Sequence, residues 1–128
     1  MATPIQRTQK LRGTRRGLGR ALCRLDDLEN PGSAAFVVKR GSSRVTVLLV
    51  RQGAEAFCYL NSCPHIGAPL DYQTTGFLDP EKLNIFCAYH GARFRMEDGL
   101  CISGPPESQC LTPLALEIKD GEVFPLGW

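Results

Sequence analysis

The chain has little histidine and no long apolar run. Of 128 residues, two are histidine, one is tryptophan and two are methionine. Apolar runs such as Val47–Val50 fall far short of the roughly 20 residues a membrane-spanning helix needs, so such a span is excluded. No segment sustains a 3.6-residue apolar period, and there is no internal repeat or low-complexity region. That removes helical bundles and solenoids. No nicotinamide or flavin fingerprint is present, and Arg15–Gly19 lacks the strand–turn–helix setting of a phosphate loop. Residues 1–24 contain no acid. Thr14-Arg15-Arg16 has the look of a twin-arginine export signal, but Asp26, Asp27 and Glu29 follow it instead of an apolar stretch. Export is not expected, and the expected compartment is the cytoplasm.

What is present begins with a charge asymmetry. The net charge is +2, yet Arg7, Lys10, Arg12, Arg15, Arg16, Arg20 and Arg24 all lie in the first 24 residues. The rest of the chain holds eight Lys and Arg against 13 Asp and Glu. This is an acidic domain behind a basic extension, residues 1–20, which reads as a loosely attached tail or an organellar transit segment. The acidic body suits a basic patch on a protein partner as well as it suits plain solvation. No nucleic-acid partner is expected. The length fits one small domain, residues 21–128, with a modest core that a metal site would help to staple.

Six cysteines remain reduced by default in a chain without a secretory signal. Cys23 and Cys58 stand among apolar residues and read as core. Cys101 and Cys110 bracket a proline-rich loop and leave a disulfide open.

The segments read as short strands. Residues 21–25 form a strand leaving the tail, and Asn30-Pro31-Gly32 turns the chain. Ala34–Arg40 and Arg44–Val50 form a hairpin across Gly41-Ser42-Ser43, followed by a strand at Ala56–Leu60. Residues 70–82 are irregular, with Gly76 and Asp79-Pro80 as breakers. Leu83–Cys87 is a strand. Arg93–Arg95 and Leu100–Ile102 form a small hairpin, and Leu114–Lys119 with Glu122–Pro125 a last one across Asp120-Gly121. Gly104-Pro105-Pro106 is a loop, since proline has no ladder donor. The predicted fold class is all-β.

Both histidines fall in one stretch with two of the cysteines. Cys63-Pro64-His65-Ile66-Gly67 opens it, and Cys87-Ala88-Tyr89-His90-Gly91 closes it. Two soft sulfur donors and two imidazoles at fixed spacing indicate a metal site. A structural zinc could use two Cys and two His, but its ligand pairs usually have at least two residues between them. One intervening proline makes it awkward for Cys63 and His65 to reach one small ion. Alternate residues of an extended loop diverge, and can instead serve two neighbouring ions. A [2Fe–2S] cluster with two Cys on one iron and two His on the other satisfies that spacing.

At this point the residues resemble a family. Cys63–Leu70 and Cys87–Phe94 are similar to the two cluster-binding boxes of Rieske [2Fe–2S] proteins, and Gly104-Pro105-Pro106 falls where that family has its proline loop. The resemblance runs from about Leu22 to Phe124, with the cluster-binding part at about residues 61–107. It implies a Rieske-type fold of short antiparallel strands, one cluster per chain, Cys63 and Cys87 as thiolate ligands of the inner iron, and His65 and His90 as ligands of the outer, redox-active iron. It implies that Gly67 and Gly91 let the backbone approach the sulfides and that Leu70, Phe94 and Pro105 exclude water. High-potential members of the family carry cysteines at the positions of Ala68 and Tyr89, which pair, a serine at that of Ala92 and a tyrosine at that of Phe94. Hydrogen bonds to sulfur raise the potential, so their absence implies a low-potential cluster.

No histidine is left for the two-His, one-carboxylate iron of a terminal oxygenase. The chain reads as a soluble one-electron carrier, a Rieske-type ferredoxin, with no catalytic residues of its own. It would pass electrons from a flavoprotein reductase to a terminal oxygenase or other oxidoreductase. Alternatives are a Rieske-like small subunit of a larger enzyme such as assimilatory nitrite reductase, a zinc module, or a cluster-based sensor.

Overall fold

The computed structural model describes residues 20–64, 69–70, 76–87, 91–104 and 109–127. The basic extension up to residue 19, His65, Gly67, Ala68, Tyr89, His90 and Pro105 lie outside the described residues. The fold is antiparallel β throughout, as expected. Among the described residues nine strands make two sheets: β1 (Cys23–Arg24), β2 (Gly32–Arg40), β3 (Ser43–Gln52), β4 (Glu55–Leu60), β5 (Ile85–Cys87), β6 (Ala92–Phe94), β7 (Cys101–Ser103), β8 (Pro113–Lys119) and β9 (Glu122–Gly127). The larger sheet has the order β1-β9-β8-β4-β3-β2, and the smaller β5-β6-β7.

The hairpins follow from their turns. β2 and β3 pair from Gly32↔Arg51 to Arg40↔Ser43, across a tight turn in which Gly41 has φ +64°. β8 and β9 turn at Asp120-Gly121, both at positive φ, as a two-residue hairpin turn with the right twist requires. The strand expected over 21–25 stops at Arg24, because Asp27 Oδ2 accepts the Arg24 N–H at 3.0 Å and the chain enters a 3₁₀ turn at Leu25–Asp27. Arg51 ties that turn to the sheet: its Nη1 donates to the carbonyls of Leu25 and Leu28, each at 3.1 Å.

Side-chain alternation in β3 and β4 divides the interior in two. Leu48, Val50, Phe57 and Tyr59 point into one apolar core, and Val47, Leu49, Ala56 and Cys58 into the other. Both faces are covered there, which is why Val47–Val50 is an unbroken apolar run. The second core also takes Phe36 and Val38 of β2, Leu114 and Leu116 of β8, and Val123 of β9. Residues from the two ends of the sheet order share it, so the sheet curls on itself. Cys58 belongs to it, and burial pushes its thiol pKa up, away from reactive thiolate chemistry.

The small sheet packs over the first core. Phe94, Ile85, Ala92 and Cys101 reach it, together with Tyr59, whose hydroxyl donates to the Met96 carbonyl at 2.6 Å. A β-carbon at Gly99 would lie 2.9 Å from the Tyr59 ring, and Gly99 has φ +73°. Gly99→Ala is therefore expected to cost about 2 kcal/mol or more in urea unfolding, through both strain and overlap. The disulfide left open between Cys101 and Cys110 is not formed. None of the six cysteines is in a disulfide, and the bridge Leu100↔Cys110 sets Cys110 outward while Cys101 is buried.

Candidate metal centre

Two short loops converge on the first core. The first leaves β4, where the Leu60 N–H donates to Thr112 O at 2.8 Å and the Asn61 N–H to Thr46 O at 2.9 Å. Asn61 Oδ1 then accepts the N–H of Leu70 at 2.7 Å. One side chain thereby closes the loop that contains Cys63 and His65. Cys63 and Leu70, inside that closure, are both fully buried.

The second loop joins β5 to β6. Cys87 lies opposite Ala92, and the Gly91 N–H donates to Cys87 O at 2.8 Å. Gly91 has φ +74°, a conformation a β-carbon strongly disfavours. Cys87 and Gly91, at the two ends of the second loop, are thus fixed. Cys87 is fully buried and shares its apolar core with Cys63.

The base of the proline loop reaches the same place. Cys101 Sγ lies 3.4 Å from the carbonyl oxygens of Ser103 and Gly104 and donates toward them. A β-carbon at Gly104, which has φ +78°, would stand 3.1 Å from Ala92 Cα. The chain therefore passes directly over the residue paired with Cys87 before it enters Pro105-Pro106.

A buried carboxylate fixes the small sheet from outside. Asp79 is 3% exposed. Its Oδ1 accepts the N–H groups of Leu83 (2.9 Å) and Asn84 (3.2 Å), and its Oδ2 accepts Asn84 Nδ2 (3.3 Å) and Arg93 Nε (3.2 Å). Burial works to raise the Asp79 carboxyl, but these hydrogen bonds outweigh it and hold it below the ordinary range. Arg93 also lies over the Phe86 ring, 5.3 Å from its centroid. Asp79 thus anchors the segment before β5 to the strand that follows the second loop. The sequence offered Asp79 only as a turn breaker, and neither it nor Asn61 was distinguishable as a support of the site.

The described part of the site fits an iron–sulfur cluster. Two thiols from separate loops lie in one apolar core with Ala92 and Phe94, all four fully buried, and neither Ala92 nor Phe94 brings a hydroxyl. Thiolates so placed match the soft sulfur donors a cluster takes. Two cysteines are half of a four-ligand set, and no three His, Cys, Asp or Glu side chains gather among the described residues. His65 and His90, the other two expected ligands, lie outside the described residues.

Comparison with known proteins agrees with this geometry. Residues 20–119 match the family described as the Rieske [2Fe-2S] domain. No curated protein sequence matches the chain. Among solved structures, a complex of reduced oxygenase and oxidized ferredoxin in carbazole 1,9a-dioxygenase contains a chain that is 26% identical. The match covers 84% of this chain and 92% of that one, with a TM-score of 0.65. The ferredoxin of carbazole 1,9a-dioxygenase from Nocardioides aromaticivorans IC177 has the same fold at 23% identity, covering 85% and 97% of the two chains, with a TM-score of 0.65. A longer chain from another oxygenase–ferredoxin complex of carbazole 1,9a-dioxygenase, of which the match spans 28%, shares the fold at 20% identity and a TM-score of 0.67. With two buried thiols at the ends of two short loops, and with the family matched over most of its length, this chain belongs to the Rieske [2Fe–2S] domain family, whose prosthetic group is a [2Fe–2S] cluster.

Proposed function

We propose that the protein is a soluble one-electron carrier of the Rieske ferredoxin kind, taking electrons from a flavoprotein reductase and delivering them to a terminal oxygenase. The observation that supports this most is the burial of Cys63 and Cys87 in one apolar core, inside a fold that covers nearly the whole length of the ferredoxin of carbazole 1,9a-dioxygenase. Cys63 and Cys87 would hold the cluster as thiolates, and His65 and His90 would supply its imidazole ligands. When bound, the cluster supplies one-electron redox chemistry.

The chain's own residues do the rest. Asn61 and Gly91 fix the two loops, Leu70 and Phe94 keep water from the sulfur side, and Asp79 with Arg93 holds the second loop's strand. No helix among the described residues is long and apolar enough to cross a membrane, and the cytoplasm is the compartment proposed. Anaerobic titration of the purified protein should take up one electron per chain, and the reduced protein should then re-oxidise on mixing with a ring-hydroxylating oxygenase. Failure to transfer to any oxygenase, together with elution in a large stable assembly, would favour the subunit reading instead.

Ala92 and Phe94 bring no hydroxyl to the sulfur side. The midpoint potential is expected near the low end of the Rieske range, about −150 mV, by protein-film voltammetry. A value above roughly +100 mV would contradict that.

A further inference from the structure

Among the described residues the larger sheet curls without closing. Its edge strands among the described residues are β1 and β2, and β2 is paired there on one side only, with β3. Along this open seam runs a groove of about 660 Å³, walled by Leu22, Phe36, Leu114 and Leu126, with Arg20 and Lys39 also lining it. Leu22, Phe36 and Leu114 pack in or against the second core, which holds neither Cys63 nor Cys87. The groove is therefore separate from the candidate cluster site.

Charge is concentrated at this end. Lys39 and Arg44 face each other directly across the β2–β3 ladder, Arg40 follows at the tip, and all three are exposed. Neither Lys39 nor Arg44 has a carboxylate partner among the described residues. Like charges directly opposite one another repel, and an anion bound between them relieves that repulsion. Val37, on the same face of β2 as Lys39, is 62% exposed. The side of β2 left unpaired among the described residues offers backbone donors and acceptors to an added strand.

We propose that the seam is a docking site for an extended segment of a protein partner that alternates acidic and apolar residues. Its backbone adds to the β2 edge, its acids meet Lys39 and Arg44, and its apolar side chains enter the groove. The chain's own first residues are a poor occupant by charge, since they carry Arg7, Lys10, Arg12, Arg15 and Arg16 and no acid. Placed here, the contact tethers a partner while leaving the cysteine-bearing loops uncovered. This goes beyond the carrier assignment and does not depend on it.

The test uses the full chain with its cluster and a fluorescent peptide alternating glutamate and valine. Binding is expected to weaken with salt, to protect β2 amides from hydrogen exchange, and to fall about tenfold in Lys39→Glu with Arg44→Glu. Lys39→Gln with Arg44→Gln, a milder pair, should give a smaller loss with an unchanged visible spectrum. Equal binding by wild type and both variants overturns the proposal. So does protection of amides elsewhere, tighter binding once residues 1–19 are removed, or stronger binding to phosphatidylserine vesicles or to an oligonucleotide through the same cations.

Discussion

Cys87→Ser is expected to yield a colourless protein. The cysteine is fully buried in the first core and paired through β5 to Ala92, so no other thiol can be brought to its place without breaking that ladder. Cys101 shares the core, but its Sγ is directed to the carbonyls of Ser103 and Gly104. A serine hydroxyl is a harder and far less acidic donor than a thiol, and poorly suited to iron–sulfur bonding. Because binding a cofactor to the native state stabilises that state, losing it lowers the melting temperature as well, by on the order of 10 °C. Cys63→Ser should behave alike, whereas Cys58→Ser, in the second core, should keep full cluster absorbance. Visible spectroscopy and iron analysis on the three variants check this. Retention of cluster in Cys87→Ser would remove that residue from the ligand set.

Asp79→Ala is expected to be the most damaging substitution outside the ligand set. It leaves the Leu83 and Asn84 N–H groups, the Asn84 amide and the Arg93 guanidinium without their acceptor. Removing one member of such a buried charge pair costs about 3 kcal/mol or more. Asp79→Asn keeps an acceptor oxygen and the shape, and should cost less. The pH dependence has a defined sign. The native carboxyl titrates below its ordinary value, so its contribution is fully present above the unfolded-state pKa, about 4, and is lost as pH falls through the native one. Urea unfolding across this acid range should show wild-type stability falling more steeply than that of Asp79→Asn. Parallel acid limbs would show that Asp79 does not carry the effect.

The parts of this protein that were legible in the sequence are those specified by neighbours in the chain. Cys63-Pro64-His65 and Cys87-Ala88-Tyr89-His90 declare themselves by spacing, and the β2–β3 and β8–β9 hairpins by turn chemistry at Gly41 and Asp120-Gly121. What was not legible depends on partners distant in sequence or on competition for backbone groups. The strand expected from Leu83 begins only at Ile85, because Asp79 takes the N–H groups of Leu83 and Asn84 that a ladder would need. The irregular stretch before it also lines up beside β5, through Leu78↔Ile85 and the Phe86 N–H to Phe77 O, a pairing no local pattern announces. Asn61 looked like any loop residue, and its role appears only when Leu70 returns to it. Cys101 and Cys110 looked pairable by separation, and strand alternation places them on opposite sides.

Cys63, Cys87, His65 and His90 would hold the cluster through two thiolates and two imidazoles. Electron paramagnetic resonance of the dithionite-reduced protein tests this ligand set most directly, with nitrogen couplings resolved by pulsed methods. The expected result is a rhombic signal with average g below the free-electron value, two strongly coupled nitrogens in the wild type, and one in each of His65→Cys and His90→Cys. A signal without strongly coupled nitrogen, or a colourless protein holding stoichiometric zinc, would contradict it.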